Sequence, residues 1–520
     1  MGKKTRTTEK KTYTRNGVTR AAVTALAFLI QFLWIFFLFR WIGRSYAPIA
    51  FAMQVIAIIL ALVIYGKEMN AAIKMPWLII IAGFPVFGLS LYLFAGLSGS
   101  TQNMRKRFEA IDQILFQAIP QNEEIMNSLR EKDSDAYSQA YYISNFTKFP
   151  IYTNNRIEYY DSGFKGLKAQ LEALKKAEKY IFMEYHAIED STAFHEIEEI
   201  LAEKAANGVE VRIFYDDIGS IGFINLDFTK RMEEKGIQCR CFNPVIPVVN
   251  FFFNNRDHRK ITVIDGKVGF TGGYNLADEY FGYTEPYGVW KDTGIKIEGE
   301  AVKSFTMMFL EMWNAIRATD SDDKDFDYFF PDVEKQPSKG FVAPYADSPL
   351  DKEHTGENVY LNIINSATKY VYFITPYLII TGEMDKCLRL AAKKGVDVRI
   401  ITPGIPDKKL VYRITRSYYG SLVKNGVRIY EYTPGFSHAK MCVCDDKFAT
   451  CGTINLDYRS LYHHFENGTW MYDTDTVMDI KKDFIELFPQ CREVTEEYKL
   501  KQKKGVDLIQ STLRLFAPLL

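Results

Sequence analysis

The chain has no excess of charge of either sign. It contains 64 lysines and arginines and 64 aspartates and glutamates in 520 residues, so its formal net charge is zero. Proteins that bind nucleic acid usually present a strongly positive face, because phosphate contacts dominate their affinity. The balance therefore disfavours a nucleic-acid partner, while leaving local basic patches open.

The sequence also lacks cysteines at the spacing typical of zinc or redox sites. Its seven cysteines are an odd number, and none belongs to a Cys-x-x-Cys motif. The pairs at 239/241 and 442/444 lie in apolar stretches that read as strands. We therefore predict no metal and no cofactor. Free, buried thiols suit a reducing compartment.

Charged residues are absent from three stretches near the N-terminus, residues 21–39, 49–65 and 76–96. Each approaches the roughly 20 residues that a helix needs to cross a bilayer. No small-residue cleavage site directly follows the first stretch, so anchors are favoured over a cleaved signal peptide. The pattern predicts a membrane-embedded chain with transmembrane helices in this region.

The orientation in the membrane stays open. The basic residues 1–20 and the basic cluster 105–107 both favour the cytoplasmic side. Three full crossings would place them on opposite sides. The third stretch contains Gly83 and Pro85, so an irregular or shallow segment is the alternative to a full crossing.

What the chain does contain is one polar motif, present twice. The second copy follows at a constant offset of 180 residues, from His258 to His438 and from Lys260 to Lys440. It is very improbable that chance alone would repeat five polar or glycine positions at the same offset. The matching members are His258, Lys260, Asp265, Gly272 (followed by Gly273) and Asn275 in the first copy, and His438, Lys440, Asp445, Gly452 and Asn455 in the second.

The spacing places the histidine and the lysine of each copy together. Residues two apart on an extended strand point to the same face. Apolar residues follow at 261–264 and 441–444, which predicts buried strands. Asp265 and Asp445 then fall at turns, where capping the turn is at least as good a reading as catalysis.

This set of side chains suits phosphoryl transfer without a metal. One imidazole attacks phosphorus and the other protonates the departing alkoxide. The two lysines stabilise charge on the phosphoryl oxygens. Asn275 and Asn455 donate to those oxygens, and Gly273 and Gly452 let the backbone approach the anion.

The two His-x-Lys-x4-Asp motifs resemble those of the phospholipase D superfamily and, within it, those of bacterial cardiolipin synthases. The likeness runs from the membrane segments nearly to the C-terminus. Further segments that carry it are residues 182–185, 215–220, 255–260, 273–280, 290–293, 375–377 and 455–460.

The resemblance implies that a phosphatidyl group passes between two phosphatidylglycerols, with His258 as nucleophile and His438 as acid. It also implies that Asp292 and Glu466 are carboxylates that support the imidazoles; solvated loop charges are the alternative. The implied partners are phosphatidylglycerol and anionic membrane lipid, in a multi-pass protein of the bacterial cell membrane. A homo-oligomer stays open, as does the choice of acceptor.

Strands and helices alternate twice, which predicts an α/β fold. We expect two pseudo-symmetric phospholipase D-like domains with mixed sheets packed face to face, preceded by transmembrane helices. The predicted order is a basic tail 1–20, a membrane anchor 21–98, a connector 99–150, a first domain 151–319, an acidic linker 320–340, a second domain 341–498 and an amphipathic C-terminal helix 499–520.

Three other functions stay open at this stage. A phospholipase D hydrolase would use the same residues, a membrane-anchored nuclease would use the same motifs, and an inactive scaffold would need neither copy intact. The three phenylalanines 251–253 either pack beneath the site or form a rim that dips into lipid.

Overall fold

The computed structural model describes residues 47–96, 99–244, 255–316, 323, 325–500 and 508–519, with scattered positions between 22 and 37. The basic tail 1–20, most of the stretch 21–39 and the phenylalanines 251–253 lie outside these residues. So do parts of the acidic linker and residues 501–507. Among the described residues, no helix combines the length and the apolar character that a bilayer crossing requires. The transmembrane helices therefore stay a prediction.

The second and third apolar stretches form three helices, Ala47–Gly66, Ala71–Gly83 and Pro85–Gly96. The break at Phe84 follows from Pro85, whose ring disfavours a helical conformation in the residue before it. The three helices share a small core of Ala57, Ile64, Ile81 and Tyr92. The third stretch is thus interrupted, as its glycine and proline content predicted.

A mixed sheet of seven strands forms the first half of the rest of the chain. Its order is β1-β8-β7-β6-β2-β3-β4, and only the β2–β3 and β3–β4 pairs are parallel. The strands are β1 (Arg156–Tyr160), β2 (Tyr180–Tyr185), β3 (Glu210–Asp216), β4 (Gln238–Phe242), β6 (Lys260–Ile264), β7 (Val268–Gly272) and β8 (Gly294–Glu298).

The second half repeats this arrangement. The order β9-β17-β15-β14-β10-β12-β13 has the same sequence of antiparallel and parallel pairs, and β18 and β5 extend it. The strands are β5 (Arg256–Asp257), β9 (Phe341–Asp347), β10 (Tyr370–Ile374), β12 (Asp397–Pro403), β13 (Arg428–Tyr432), β14 (Met441–Cys444), β15 (Phe448–Gly452), β17 (His464–Tyr472) and β18 (Cys491–Glu493), with β11 (Leu378–Ile379) and β16 (Leu456–Asp457) paired separately. The predicted α/β fold with mixed sheets is confirmed.

Helices cover both sheets. Gly208 and Gly395 follow two of them with φ of +86° and +93°, a conformation that glycine adopts without strain and that ends a helix. The longer helices are Gly99–Ala118, Glu123–Lys132, Ser134–Tyr142, Gly163–Leu174, Thr192–Ala206, Phe228–Glu234, Val302–Ala315, Thr355–Ser366, Gly382–Lys393, Lys409–Lys424, Asp475–Leu487 and Leu508–Phe516.

Strand alternation divides the core of the first half. Tyr180 and Phe182 on β2 face the central core, and Ile181 and Met183 face the core beneath the outer helices. The helix Val302–Ala315 runs through the central core, and nearly all of its side chains are buried. It contacts strands of both sheets, so the two halves share one apolar interior.

The C-terminal helix Leu508–Phe516 packs on the second half. The guanidinium of Arg514 lies 4.2 Å from the ring centre of Tyr418, on the helix Lys409–Lys424. The described part of the predicted amphipathic C-terminal helix therefore packs on the second half.

Candidate active site

His258 directly follows β5, a short strand of the first half that joins the sheet of the second half. The short β5 before it pairs in parallel with β17, and the backbone N–H of His258 donates to the carbonyl of Phe465 at 2.8 Å. The next residue along β17 is Glu466, and its Oε2 lies 2.9 Å from Nδ1 of the His258 ring. The carboxylate that holds the first imidazole therefore comes from the second half.

His438 repeats this geometry in the opposite direction. Its backbone N–H donates to the carbonyl of Lys291 at 2.7 Å, beside a bridge between Lys291 and Ser437. Its Nδ1 lies 2.8 Å from Oδ2 of Asp292, which belongs to the first half. We call the two pairs, His258 with Glu466 and His438 with Asp292, the crossed pairs. The predicted supporting carboxylates thus both lie against an imidazole.

Both imidazoles are buried, and burial is the main reason that their pKa values are low. The pKa of His258 lies well below its usual value, and that of His438 falls to about 4. Burial also raises the pKa of Glu466, while the charge of Lys260 and the hydrogen bond from Thr453 act in the opposite direction and favour the carboxylate. A neutral imidazole whose Nδ1–H donates to a carboxylate keeps its Nε2 lone pair for attack on an electrophile.

Each of the two buried lysines lies against the histidine of its own motif. Nζ of Lys260 donates to the carbonyl of His258 at 2.6 Å, and Nζ of Lys440 lies 3.0 Å from Nε2 of His438. Burial lowers the pKa of Lys260 to about 8 and that of Lys440 to about 7. After burial, the charge of Lys440 contributes to the low pKa of His258, and the charge of Lys260 to that of His438. The two copies of the motif therefore face each other.

The predicted glycines allow close approaches in this region. A Cβ on Gly273 would overlap Oδ1 of Asp292, so a larger residue would displace that carboxylate from His438. A Cβ on Gly452 would overlap the backbone oxygen of Asn467. Both glycines thus support the packing around the crossed pairs, rather than offering space to the phosphate alone.

The two predicted asparagines differ in their contacts. Asn275 accepts from the backbone of Ala187 at 3.2 Å and donates to the Tyr280 hydroxyl at 2.9 Å. The buried Oδ1 of Asn455 accepts no hydrogen bond from any described residue. Asn275 is therefore held by the protein, and Asn455 retains unused hydrogen-bonding capacity.

Asp265 and Asp445 are not brought together with the imidazoles. Each has a positive φ, near +53°, at the far end of β6 or β14 from the histidine. Each carboxylate accepts backbone N–H groups from three consecutive residues, 178–180 for Asp265 and 368–370 for Asp445. Their contacts tie the turn to the start of the neighbouring strand, in line with the capping alternative and not with a place in the catalytic set.

Thr453 was missed by the sequence reasoning. Its hydroxyl donates to Oε2 of Glu466, on the same oxygen that faces His258. Thr453 occupies the position that Gly273 holds in the first copy. Comparing the two copies residue by residue would have found this difference.

Two further histidines surround His258. The ring centres of His186 and His464 lie 4.8 Å and 5.4 Å from that of His258. Nitrogen and oxygen atoms of His258, His464 and Glu466 lie within 4.8 Å of one another, which is the type and spacing of donors that could hold a metal ion. His186 directly follows β2, at a strand end where α/β sites gather, and this was the available signal.

Aromatic rings surround His438 instead. The ring centres of Tyr280, Trp290 and Phe436 lie 5.1 Å, 5.6 Å and 5.9 Å from that of His438. Tyr287 lies 6.3 Å from both Trp290 and Phe436. We call these four residues the aromatic wall. No periodic pattern in the sequence indicates it, because its members come from two connections, β7–β8 in the first half and β13–β14 in the second.

Comparison with known proteins agrees with this geometry. The family model described as "Cardiolipin synthase, PLD-like domain" matches residues 171–313 and 360–488. An uncharacterized protein of Streptococcus mutans is 42% identical over 459 residues, covering 88% of this chain and 99% of that protein. A cardiolipin synthase of Alkalihalophilus pseudofirmus is 31% identical over 512 residues, covering 97% of this chain and 100% of that protein.

One solved structure has a similar fold. The phosphatidylserine synthase of Haemophilus influenzae superimposes with a TM-score of 0.53 at 15% identity, covering 70% of this chain and 93% of that one. At this level of identity the likeness concerns the fold alone.

Proposed function

The chain belongs to the cardiolipin synthase family with phospholipase D-like domains, and from this membership we propose that it transfers a phosphatidyl group from one phosphatidylglycerol to another. The products are cardiolipin and free glycerol. The observation that carries the proposal is the presence of the crossed pairs, which anchor both imidazoles close to two buried lysines whose pKa values are lowered.

In the first step, Nε2 of His258 attacks the phosphorus of the first lipid and the bond from phosphorus to the glycerol oxygen breaks. The negative charge of the bound phosphodiester favours the protonated form of His438, which gives its proton to that oxygen, so glycerol leaves neutral. The ammoniums of Lys260 and Lys440 stabilise the phosphoryl oxygens. Glu466 accepts the Nδ1–H of His258 and stabilises the positive charge that develops on this ring.

In the second step, the terminal hydroxyl of a second phosphatidylglycerol attacks the phosphatidyl-histidine. His438 takes the proton from that hydroxyl, the bond between phosphorus and Nε2 breaks, and His258 returns to its neutral state. Asp292 stabilises the imidazolium form of His438, which is consumed in the first step and restored in the second. No cofactor enters either step. The predicted domains 151–319 and 341–498 each contribute one member to every pair.

The membrane location predicted from the apolar stretches belongs to this proposal, because both substrates are lipids. A hydrolase would use the same first step and differ only in accepting water in the second. The discriminating observation is the product, which is cardiolipin for the transferase and phosphatidic acid for the hydrolase.

The test is to incubate the purified full chain with phosphatidylglycerol alone and to identify the lipids by mass spectrometry. We expect cardiolipin and glycerol in equal amounts from the active chain and neither from His258→Ala. Phosphatidic acid without cardiolipin would replace the proposal with the hydrolase. Absence of any lipid product, with intact folding, would favour the scaffold.

A further inference from the structure

The second step fixes the side from which the acceptor lipid arrives. Displacement at phosphorus is in line, so the incoming oxygen lies opposite Nε2 of His258. His438 serves that oxygen, as it served the departing glycerol. Both headgroups therefore occupy the His438 side of the phosphate, and the residues on that side contact the acceptor.

The aromatic wall covers this side and leads outward. Its inner member Phe436 is fully buried, while Tyr287 and Trp290 are half-buried. Nε1 of Trp290 is buried and donates to no described residue. The ring centre of Tyr377 lies 6.4 Å from that of Phe436 and continues the line of rings. Polyol hydroxyls and C–H groups suit a surface that offers ring faces and a free N–H donor.

The ammonium group of Lys408 lies next to Tyr377, the outermost of these rings. Nζ of Lys408 lies 3.0 Å from the Tyr377 hydroxyl, 5.1 Å from the Tyr377 ring centre and 3.3 Å from Oδ2 of Asp407. Its side chain is 64% exposed. An ion pair this exposed is weak, because water screens it, so an incoming phosphate can replace Asp407 as the partner.

Ile405 and Leu410 are close to Lys408 in the chain, and Val289 follows Gly288, which lies against the Ile405 side chain. We call these three aliphatic residues the aliphatic rim. Val289, Ile405 and Leu410 are exposed by 48%, 40% and 52%. The N–H groups of Val289 and Ile405 donate to the carbonyls of Pro434 and Gly435, directly before Phe436 of the wall. The aliphatic rim and the aromatic wall are therefore connected, with aliphatic side chains at the outer edge and aromatic rings inside. Lys408 lies at this edge.

We propose that Lys408 and this rim form the subsite for the second phospholipid. The ammonium holds the phosphate oxygens of the acceptor, the aliphatic residues contact its apolar part, and its terminal glycerol extends along the aromatic wall to His438. The inference rests on the proposed function, since it assigns the acceptor of that reaction. The ligand is an anionic phosphodiester lipid, and a small alcohol lacks the group that Lys408 recognises.

The test compares two acceptors in detergent micelles, where docking to a bilayer does not limit the rate. Cardiolipin formation measures transfer to a lipid. Incorporation of labelled glycerol into phosphatidylglycerol measures transfer to a small alcohol. We expect Lys408→Ala to lower the rate of cardiolipin formation about tenfold relative to the rate of glycerol incorporation, because the KM for phosphatidylglycerol rises. Lys408→Arg should restore the ratio, and the neighbouring, exposed Lys409→Ala is the matched control.

A second pair of variants tests the rim. Leu410 and Leu390 are both 52% exposed on helices, and only Leu410 lies beside Lys408. Leu410→Ser should raise the KM for the lipid acceptor more than Leu390→Ser does.

Equal ratios for Lys408→Ala and Lys409→Ala, in a chain that makes cardiolipin, would overturn this inference and leave the proposed function standing. A native chain that exchanges glycerol and makes no cardiolipin would overturn both.

Discussion

The surroundings of the two imidazoles differ, although their backbones match. His258 lies among His186, His464 and the hydroxyl of Thr453, whereas His438 lies against aromatic rings. The repeated sheets fix where each ring stands and which nitrogen meets a carboxylate. The residues outside the motifs make one side polar and the other side aromatic. The division of labour therefore comes from the loops rather than from the repeat.

Removing either imidazole should give the largest effect and should separate the two roles. We expect both His258→Ala and His438→Ala to lower cardiolipin formation by about 10⁴-fold, since each loses a reacting group. A phosphatidyl ester of p-nitrophenol needs no protonation of its leaving group. With this substrate, His438→Ala should therefore still release nitrophenol, whereas His258→Ala should release none. Recovery in the opposite variant would reverse the roles.

Replacing Glu466 or Asp292 by its amide should slow the step that this carboxylate supports by about 100-fold. Because the pairs are crossed, Glu466→Gln should impair the attack by His258 and reduce release of nitrophenol. Asp292→Asn should impair cardiolipin formation while retaining most of that release. Stopped-flow absorbance at the nitrophenolate band measures the first step. Identical behaviour of the two variants on both substrates would show that the crossed geometry does not divide the steps.

The lysines should set the alkaline limit of activity. The pKa of Lys440 is about 7 and that of Lys260 about 8, and each lysine stabilises the phosphate only when protonated. The protonated form of His438, whose pKa is about 4, already declines with rising pH, so kcat/KM should fall across this range and fall more steeply above the pKa values of the two lysines. On the acid side, His258 stays neutral well below its usual pKa. A profile of kcat/KM between about pH 5 and 9 checks this. Lys440→Arg should move the decline to higher pH, because a guanidinium keeps its charge. A profile unchanged by this substitution would contradict the assignment.

The smallest effect on the reaction is expected from Asp265→Ala. Its carboxylate accepts three backbone N–H groups, so its loss should lower the free energy of unfolding by about 3 kcal/mol. Turnover per folded molecule should change less than about twofold, because the residue lies away from the imidazoles. Thermal unfolding and active-site titration separate the two quantities. The control Asp475→Ala removes a carboxylate whose side chain is 83% exposed. A large loss of turnover in stable Asp265→Ala would return this aspartate to the catalytic set.

The sequence carried the local part of the answer. Continuous apolar runs predicted the buried strands that follow His258 and His438, and the regular alternation of strands and helices in both halves predicted a repeated α/β unit. The predicted turn at Asp265 suggested that its carboxylate caps the turn, and left a catalytic role open. These features follow from neighbours in the chain.

The crossed pairs could not be predicted from the residues alone. His258 and Glu466 are separated by 208 positions, and their contact depends on β5 joining β17 of the other half. Only the family resemblance pointed to Glu466 and Asp292. The aromatic wall and His186 were missed because loops from different elements assemble them. Long-range pairing leaves no periodic pattern in the sequence.

The exchange of carboxylates between the halves has a consequence during synthesis. A nascent chain that has completed the first sheet carries His258 but not Glu466, and its Asp292 still has no imidazole to hold. The catalytic centre comes into being only once β17, close to the end of translation, has joined β5. On the proposed mechanism, an unfinished polypeptide therefore lacks a complete catalytic centre, and two separately expressed halves should acquire activity only on association.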